Sequence, residues 1–461
     1  MNLKINLNVI LNKPSYKIFY PIFFLSGICS LSYELIWVKM FIPVFGVGLY
    51  SISAVVSSFM AGLAIGSYIC GKVIDSKKNL PRYYSLFEFF IGLYIIALPF
   101  LLNMNRVTMP FFYNNISSDL RIFSIVKFIS AFILLIIPCS LMGATLPLMS
   151  RFLVISSRGD VRKDFGFLYG LNTFGAVCGC IIVTFFMLER FGIAVSSYII
   201  AAINIFIGTA VYLYTLNHGF DDAGFPEKSL SVTVESGLAG ASFYQKISLF
   251  VAFLSGFCAL SFEILLVRVL VSIFPNDAYL FPSVLIIILI ASSLGAFVNS
   301  SLIKENKNYS FILGVCLILS GLIFAVTLRY FPFQLDRFTT FYLWFICFIM
   351  VFPAFLLMGI AFPALVAFYS SGNETIGHDV GNIYSINTGG AVLGSFLTAF
   401  IFIPFLGLRN TLFYCLVICI LTGGIVLFLR AGKIRRSVSF LFVFALSVIF
   451  LIGGLIPDNL F

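Results

Sequence analysis

Long apolar runs constrain this chain more than any other feature of its sequence. An α-helix needs about 20 predominantly apolar residues to cross the hydrocarbon core of a bilayer, where its backbone groups bond within the segment. The sequence contains thirteen such runs, at about 18–38, 50–71, 83–102, 124–150, 165–188, 192–214, 247–267, 280–302, 309–328, 340–369, 380–405, 409–429 and 438–456. They predict an all-α polytopic membrane protein.

The composition excludes the main alternatives. Hydrophobic residues make up 61% of the 461 residues and charged residues only 10%, whereas soluble domains have about 45–50% apolar and about 25% charged residues. A soluble globule has too little interior to bury this excess. The composition therefore excludes a soluble enzyme and a nucleic-acid-binding module, and the net charge of +10 is typical of basic cytoplasmic loops instead.

The distribution of the basic residues predicts the orientation. Nineteen of the 28 Lys and Arg residues lie in segments that are cytoplasmic if the N-terminus is inside, and eight lie on the opposite side. The first run lacks a small-residue cleavage pattern and is long enough to span, so we expect it to remain as a helix. These features predict a multi-pass protein of a bacterial-type inner (cytoplasmic) membrane, with its N-terminus inside.

Cysteine and histidine usage gives no sign of a metal or cofactor site. The ten Cys residues lie almost entirely inside apolar runs and form no CxxC pair, and the two histidines, His218 and His378, lie in hydrophilic loops. This pattern is typical of small buried side chains. We therefore predict no metal site and no cofactor.

Three motifs occur twice, in the same order, which indicates an internal duplication. The matching pairs are FLSGICSLSYE at 24–34 with FLSGFCALSFE at 253–263, LMGATLP at 141–147 with LMGIAFP at 357–363, and YGLNTFGAVCG at 169–179 with YSINTGGAVLG at 384–394. Each copy holds six runs and begins on the same side of the membrane. Such parallel repeats form the two halves of major-facilitator transporters.

The duplication divides the chain into four predicted segments. Residues 1–216 form an N-terminal six-helix repeat and residues 247–430 form the C-terminal six-helix repeat. A polar cytoplasmic linker, 217–246, joins them. Residues 431–461 hold a basic loop and one extra transmembrane helix outside the duplication. The predicted fold is a major-facilitator-like 6+6 helical bundle with one additional C-terminal helix.

Four stretches together resemble the membrane portion of the fused major-facilitator/spermidine-synthase-like bacterial membrane proteins. They are the FLSG…YE opening of the first helix, SSFMAGLAIGSYICGKVID at 57–75, PCSLMGATLPL at 138–148 and YGLNTFGAVCG at 169–179. The resemblance covers residues 20–430. It implies a soluble aminopropyltransferase-like domain after the membrane part, but only Pro457–Phe461 follow the last run, so we expect that domain to be absent and predict no enzyme.

Two acidic residues in the duplicated opening motif are the first candidate site. Glu34 is followed five residues later by Lys39, and Glu263 by Arg268. A carboxylate inside a membrane helix is costly, by roughly 2.5 kcal/mol or more at the bilayer centre, and persists only beside a partner or a wet cavity. Either the acids form a gate or bind a cation, or they form structural salt bridges between the halves.

Other duplicated or charged positions complete the candidates. Asn172 and Asn387 lie in Gly-rich helices, where they either pack helices or bind a ligand. Two pairs of prolines about ten residues apart predict kinks that are either static or flank a substrate path; they are Pro138, Pro147, Pro353 and Pro363.

Two further groups of charges are candidates. The loop GKVIDSKK, with Asp75, Lys77 and Lys78, resembles the inward-gate loop of transporters. Glu88 and Lys127 lie inside runs, where they either pair between neighbouring helices or face a cavity.

These features predict an integral membrane transporter-like protein of major-facilitator type, which moves a polyamine or another small organic cation. The alternative is a non-transporting membrane scaffold that docks a separate soluble transferase or membrane partner, or takes part in assembling a surface structure. A membrane-embedded enzyme would need a nucleophile, metal or base that the sequence does not offer. The expected partners are the lipid bilayer and a small cationic solute, and no nucleic acid.

Overall fold

The computed structural model describes residues 16–45, 49–115, 120–157, 161–218, 238–273, 279–302, 308–330, 340–370 and 375–430. Within these ranges the chain is almost entirely helical and contains no strand. The predicted thirteenth span at 438–456, the basic loop after Arg430 and most of the predicted linker lie outside the described residues.

Twelve long helices make up the described part of the chain. In the first half they are α1 Phe19–Met40, α2 Leu49–Ile74, α3 Leu80–Asn115, α4 Leu120–Ser157, α5 Val161–Ile182 and α6 Leu188–His218. In the second half they are α7 Leu238–Ile273, α8 Leu280–Leu302, α9 Tyr309–Tyr330, α10 Thr340–Tyr369, α11 Ile376–Leu397 and α12 Ile403–Arg430. The shorter elements Tyr16–Ile18 and Ile42–Phe45 flank α1.

Within the described ranges, ten helical stretches are long and apolar enough to cross a membrane. Two of them, Asp164–Asn217 and Ile376–Phe428, contain 54 and 53 residues, which is about twice the length that one crossing needs. Each therefore holds two of the predicted spans. The polytopic all-α architecture predicted from the apolar runs is confirmed for the described residues.

The two double-length stretches are interrupted in the same way. A π-helical segment joins α5 to α6 at Val183–Met187, and another joins α11 to α12 at Thr398–Phe402. Shortly after each, a glycine with positive φ breaks the helix, Gly192 at φ 72° and Gly407 at φ 76°. Because this backbone conformation is essentially restricted to glycine, these two residues fix the turns between the paired spans.

Some helices extend beyond the apolar runs that predict them. Helix α7 begins at Leu238, inside the segment predicted as linker, and α3 continues to Asn115. An apolar run marks only the part of a helix that lies in the hydrocarbon core. Backbone hydrogen bonding can continue into the polar residues beyond it, so the helix can be longer than the run.

The halves meet along two seams. Helix α2 packs along α11, and α5 packs along α8. Small residues allow the first contact: a Cβ added at Gly71 would lie 2.8 Å from the Cα of Gly381, and Ser67 donates a hydrogen bond of 3.3 Å to the Gly381 carbonyl. Close backbone approach at small residues is typical of helix packing in membranes.

Candidate functional site

A cavity of about 260 Å³ lies between the two halves. Its walls come from helices of both halves, and Glu34, Glu263, Asn172, Asn387 and Glu88 all line it. Three of these side chains are carboxyl groups, and no Lys, Arg or His occurs among the described residues that line the cavity. The central cavity therefore has a mostly apolar lining, and the charged residues among its described lining are all acidic.

The two acids of the duplicated opening motif enter the central cavity from opposite halves. Glu34, on α1, has 1% of its surface exposed and Glu263, on α7, has 7%. Oε2 of Glu34 has no hydrogen-bond partner among the described residues. Both carboxyl groups line the same cavity. A buried carboxylate without a partner is costly, so these two acids would be stabilised by a positively charged ligand.

The bases that follow these acids in the sequence do not join them. Neither Glu34 nor Glu263 forms an ion pair within the described part of the chain. Arg268 is exposed. Residues five apart on a helix point in different directions, whereas residues three or four apart face each other. This spacing directs each base away from its acid.

Glu88, on α3, belongs to a buried hydrogen-bond network. Ser26 of α1 donates to its Oε1 over 2.5 Å, and Asn204 of α6 donates to its Oε2. The Tyr33 hydroxyl in turn donates to Oδ1 of Asn204 over 2.7 Å. We call Ser26, Tyr33, Glu88 and Asn204 the Glu88 cluster. It gives Glu88 neutral partners from α1 and α6, and Glu88 forms no ion pair within the described part of the chain.

The duplicated asparagines join helices at the cavity wall. Asn172 donates to the Phe23 carbonyl over 3.4 Å, and Asn387 donates to the Ala252 carbonyl over 2.9 Å and to the Ser255 hydroxyl over 3.0 Å. Each asparagine lies against a glycine of the neighbouring helix: Asn172 against Gly27 and Asn387 against Gly256. They therefore hold α5 against α1 and α11 against α7 while they face the cavity.

The four prolines lie inside two helices that run on past them. Pro138 and Pro147 are within α4, and Pro353 and Pro363 are within α10. The residues between each pair face the central cavity: Met142, Thr145 and Leu146 of α4, and Phe355, Met358, Gly359, Ala361 and Phe362 of α10. Since a proline removes a backbone hydrogen bond, the weakened helix segments are the ones that line the site.

Asp75 connects the halves at one end of the bundle, which we call the Asp75 end. Its Oδ1 lies 3.1 Å from Nε of Arg151, and its two oxygens accept hydrogen bonds from the backbone N–H of Gly377 at 3.1 Å and of His378 at 2.9 Å. Those N–H groups belong to the start of α11, where a negative charge is favoured. Lys77 and Lys78 are exposed beside it.

Burial raises the pKa of the Asp75 carboxyl above its ordinary value, while Arg151 and the two α11 amides act in the opposite direction. These partners therefore offset part of the cost of placing a carboxylate between the halves. At the other end of the bundle the halves meet through Glu189, which accepts a 2.5 Å hydrogen bond from Tyr279.

Several residues of the site were not among the sequence candidates. Ser26, Tyr33 and Asn204 complete the Glu88 cluster, and Tyr169 and Tyr384 line the cavity on either side of Phe362, with ring centroids 4.8 Å and 6.1 Å from its ring. The duplication contains a signal for the tyrosines, because both stand at the start of the repeated YGLNT and YSINT motifs. Asn204 has no such signal.

Comparison with known proteins gives the fold. No family model matches the chain, and no curated protein matches it. A point mutant of the nucleoside transporter NupG superposes with a TM-score of 0.53 and 15% identity, over 96% of this chain and 100% of that chain. A second structure of NupG has a TM-score of 0.49, 15% identity, and covers 95% and 97% of the two chains.

The chain has a major-facilitator-like fold. The helical content, the membrane-length helices and the match to NupG over nearly the whole of both chains agree with the fold predicted from the duplicated motifs. The protein is a multi-pass membrane protein of transporter-like architecture. At 15% identity this likeness is one of fold alone.

Proposed function

We propose that the protein is a secondary transporter that moves a small organic cation, such as a polyamine, through the central cavity. The observation that carries the proposal is the charge of the lining: Glu34 and Glu263 come from opposite halves, and no basic side chain occurs among the described lining residues. A neutral or anionic solute would leave these acids uncompensated, whereas an ammonium group would neutralise them. Charge complementarity of this kind fixes which solutes enter.

The placement of Glu34 and Glu263 favours an amine in particular. One acid comes from each half, and Oε2 of Glu34 has no hydrogen-bond partner within the part of the chain that the structure describes. An ammonium group carries three donors that can reach such oxygens. Hydrogen bonds to charged groups contribute about 1.5–3 kcal/mol each, so an amine between the two acids would bind both halves at once. A molecule with two amino groups would engage both acids fully.

Aromatic rings supply a second recognition element. Tyr169 and Tyr384 come from pseudo-equivalent positions of the two halves, and both pack against Phe362 at the cavity wall. Aromatic faces attract ammonium ions, with about 0.5–2 kcal/mol per contact depending on desolvation. The methylene groups of an alkylamine would also pack against these rings and the apolar lining. Acids and aromatic rings together suit an organic cation better than a hydrated metal ion.

The contacts at the two ends of the bundle fit alternating access. The halves are joined at the Asp75 end by Asp75 and α11, and at the other end by Glu189 and Tyr279. The cavity lies between these contacts. Rocking of the halves would break one contact while the other holds, as in transporters with related halves. With the predicted inside N-terminus, the Asp75 end would be cytoplasmic.

The relationship to the spermidine-synthase-like bacterial membrane proteins is part of this proposal. The resemblance to the spermidine-synthase-like bacterial membrane proteins points to polyamine chemistry, and the acidic cavity supports the same solute class. NupG is a nucleoside transporter by its name, and a nucleoside is uncharged. We therefore expect the two proteins to share a fold and to differ in cargo. A membrane scaffold, the alternative function, would have no use for a buried acidic cavity.

Transport by reconstituted protein tests the proposal. Proteoliposomes should accumulate radiolabelled spermidine or putrescine, and should not accumulate uridine as a neutral comparator. Glu34→Gln and Glu263→Gln each remove one charged contact, so spermidine affinity should fall by about 10- to 150-fold, the equivalent of about 1.5–3 kcal/mol.

Lys246→Gln is the control, because it neutralises an exposed side chain that lies on the same helix as Glu263 and outside the central cavity. Its spermidine affinity should equal that of the unmodified protein. Uptake of uridine but not of either amine would contradict the cation proposal. Amine uptake that is unchanged in both cavity variants would contradict the role of the two acids.

A further inference from the structure

The two halves differ at one place where the duplication should make them alike. The Glu88 cluster occupies the cavity wall of the first half with four polar side chains, each with 8% or less of its surface exposed. The register of the duplication identifies the equivalent positions in the second half. They hold a different chemistry, and this difference is the basis of the inference.

Glycine contacts establish the register. Gly92 of α3 packs on Ile205 of α6, and Gly321 of α9 packs in the same way on Ile420 of α12. Glu88 lies one turn before Gly92, and Leu317 one turn before Gly321.

The remaining members follow from immediate neighbours. Asn204 directly precedes Ile205 as Cys419 directly precedes Ile420, and Tyr33 directly precedes Glu34 as Phe262 directly precedes Glu263. Glu88, Asn204 and Tyr33 thus correspond to Leu317, Cys419 and Phe262.

The described residues at the equivalent place in the second half include no carboxyl group. Phe262 stacks on Phe324 with ring centroids 4.3 Å apart, and the Cys419 thiol lies 3.4 Å from the Leu317 carbonyl. Ser255, the counterpart of Ser26, binds Asn387 instead of a carboxyl group. The packing of the fold is therefore satisfied without a carboxyl group at this position. A buried acid that the architecture does not require is a functional-site candidate.

We infer that Glu88 is a proton-binding site of the first half, separate from the two acids that face each other across the cavity. A hydronium ion in the cavity transfers a proton to a carboxylate oxygen of Glu88, so one O–H bond of hydronium breaks and one carboxyl O–H bond forms. The reverse transfer later returns the proton to water on the other side. That this proton drives cation movement rests on the proposed function, whereas proton binding by Glu88 does not.

The geometry favours a proton over a metal ion. Both oxygens of Glu88 are already occupied by donors, Ser26 at 2.5 Å and Asn204 on the other side. A metal ion would require both donors to turn away. A proton requires only that the Ser26 hydroxyl change from donor to acceptor at the same distance, which a hydroxyl can do.

The surroundings leave Glu88 without a described counter-charge. The titratable groups that face it are Cys29 and Tyr33 from α1 and Tyr84 from its own helix, and α6 contributes Asn204. Glu34 and Glu263 line the same cavity. Glu88 forms no ion pair with a base in the described part of the chain, so the ionised form depends on hydrogen bonds that also accommodate the neutral form.

Infrared pH-difference spectroscopy of the full-length protein in lipid vesicles tests proton binding without any solute. The unmodified protein should show a protonated-carboxyl band that titrates and that Glu88→Gln lacks. Ser26→Ala removes a hydrogen bond from Glu88 and should shift this band. Ser255→Ala, the matched change in the second half, should leave it in place. Identical spectra for the unmodified protein and Glu88→Gln, or a band that follows sodium instead of pH, would overturn the inference.

A flux experiment then tests coupling, with spermidine as the probe. Glu88→Gln should retain spermidine counterflow, which needs no net proton movement, and should lose all response of uptake to an imposed pH gradient. A retained response would overturn the coupling. Loss of counterflow as well would place Glu88 in spermidine binding and overturn the separation of the two sites. If spermidine is not moved at all, the cation proposal fails, while the infrared result still decides the proton site.

Discussion

The contact at the Asp75 end leads to a quantitative prediction. The two carboxylate oxygens of Asp75 accept hydrogen bonds from two α11 amides, and the carboxylate pairs with Arg151. Asp75→Asn retains one of these oxygens and removes the negative charge. Loss of one charge-assisted hydrogen bond costs about 1.5–3 kcal/mol, and loss of a partly exposed ion pair adds up to about 1 kcal/mol. The variant should therefore favour separation of the halves at this end by about 2–4 kcal/mol.

That energy corresponds to a change of about 30- to 900-fold in the ratio of closed to open molecules, because each 1.36 kcal/mol is a factor of ten. Spin labels on Lys78→Cys and Asn308→Cys would report it, since these residues precede α3 and α9 at the Asp75 end of the two halves. No described native cysteine is exposed, and Cys347→Ser in both labelled proteins removes the one cysteine whose side chain is not described. The distance distribution should gain a longer component in Asp75→Asn.

Lys77→Ala is the control for this experiment. Lys77 is an exposed charged neighbour of Asp75, so its removal changes the local charge without changing the contact with α11. Its distance distribution should match that of the unmodified protein. If Asp75→Asn also gives the unmodified distribution, while its thermal stability is retained, then the contact does not hold the halves together and the reasoning fails.

Three further variants test the packing. Gly256→Ala should lower stability in detergent by about 1–3 kcal/mol, because its new Cβ would meet the Asn387 carbonyl. Gly389→Ala should leave stability unchanged, because nothing lies within 4 Å of its new Cβ. Equal melting temperatures for the two variants would contradict this prediction. Gly192→Ala should cost about 1–3 kcal/mol, because φ is 72° there, and chemical denaturation would measure it. Tyr279→Phe removes the hydrogen bond to the first half, and labels at the end of the bundle opposite Asp75 should then separate more; an unchanged distance would contradict that role.

Much of the architecture can be predicted from the sequence, because it depends on local patterns. Apolar runs of membrane length predict the helices, and repeated motifs predict two related halves. The same repetition marks Glu34 and Glu263, since a carboxyl group that recurs at one place in two apolar helices is unusual. These predictions need no knowledge of which helices are neighbours.

The partners of Glu88 could not be predicted in this way. Asn204 is far from Glu88 in sequence and lies in an ordinary apolar helix, so nothing local identifies the pair. The sequence offered Lys127 as a partner because opposite charges attract, yet neutral Ser26 and Asn204 fill that role. The bond between Asp75 and α11 was equally hidden, because its donors are backbone groups that carry no sequence signature.

The matched π-helical segments, Val183–Met187 and Thr398–Phe402, bear on the ancestry of the molecule. A π turn arises when one residue is inserted into an α-helix. The same insertion at the same place in both repeats, each followed by a positive-φ glycine, is most simply a single event in an ancestral six-helix chain that preceded gene duplication. In that order of events the difference between Glu88 and Leu317 arose after the duplication, on a backbone that the two copies already shared.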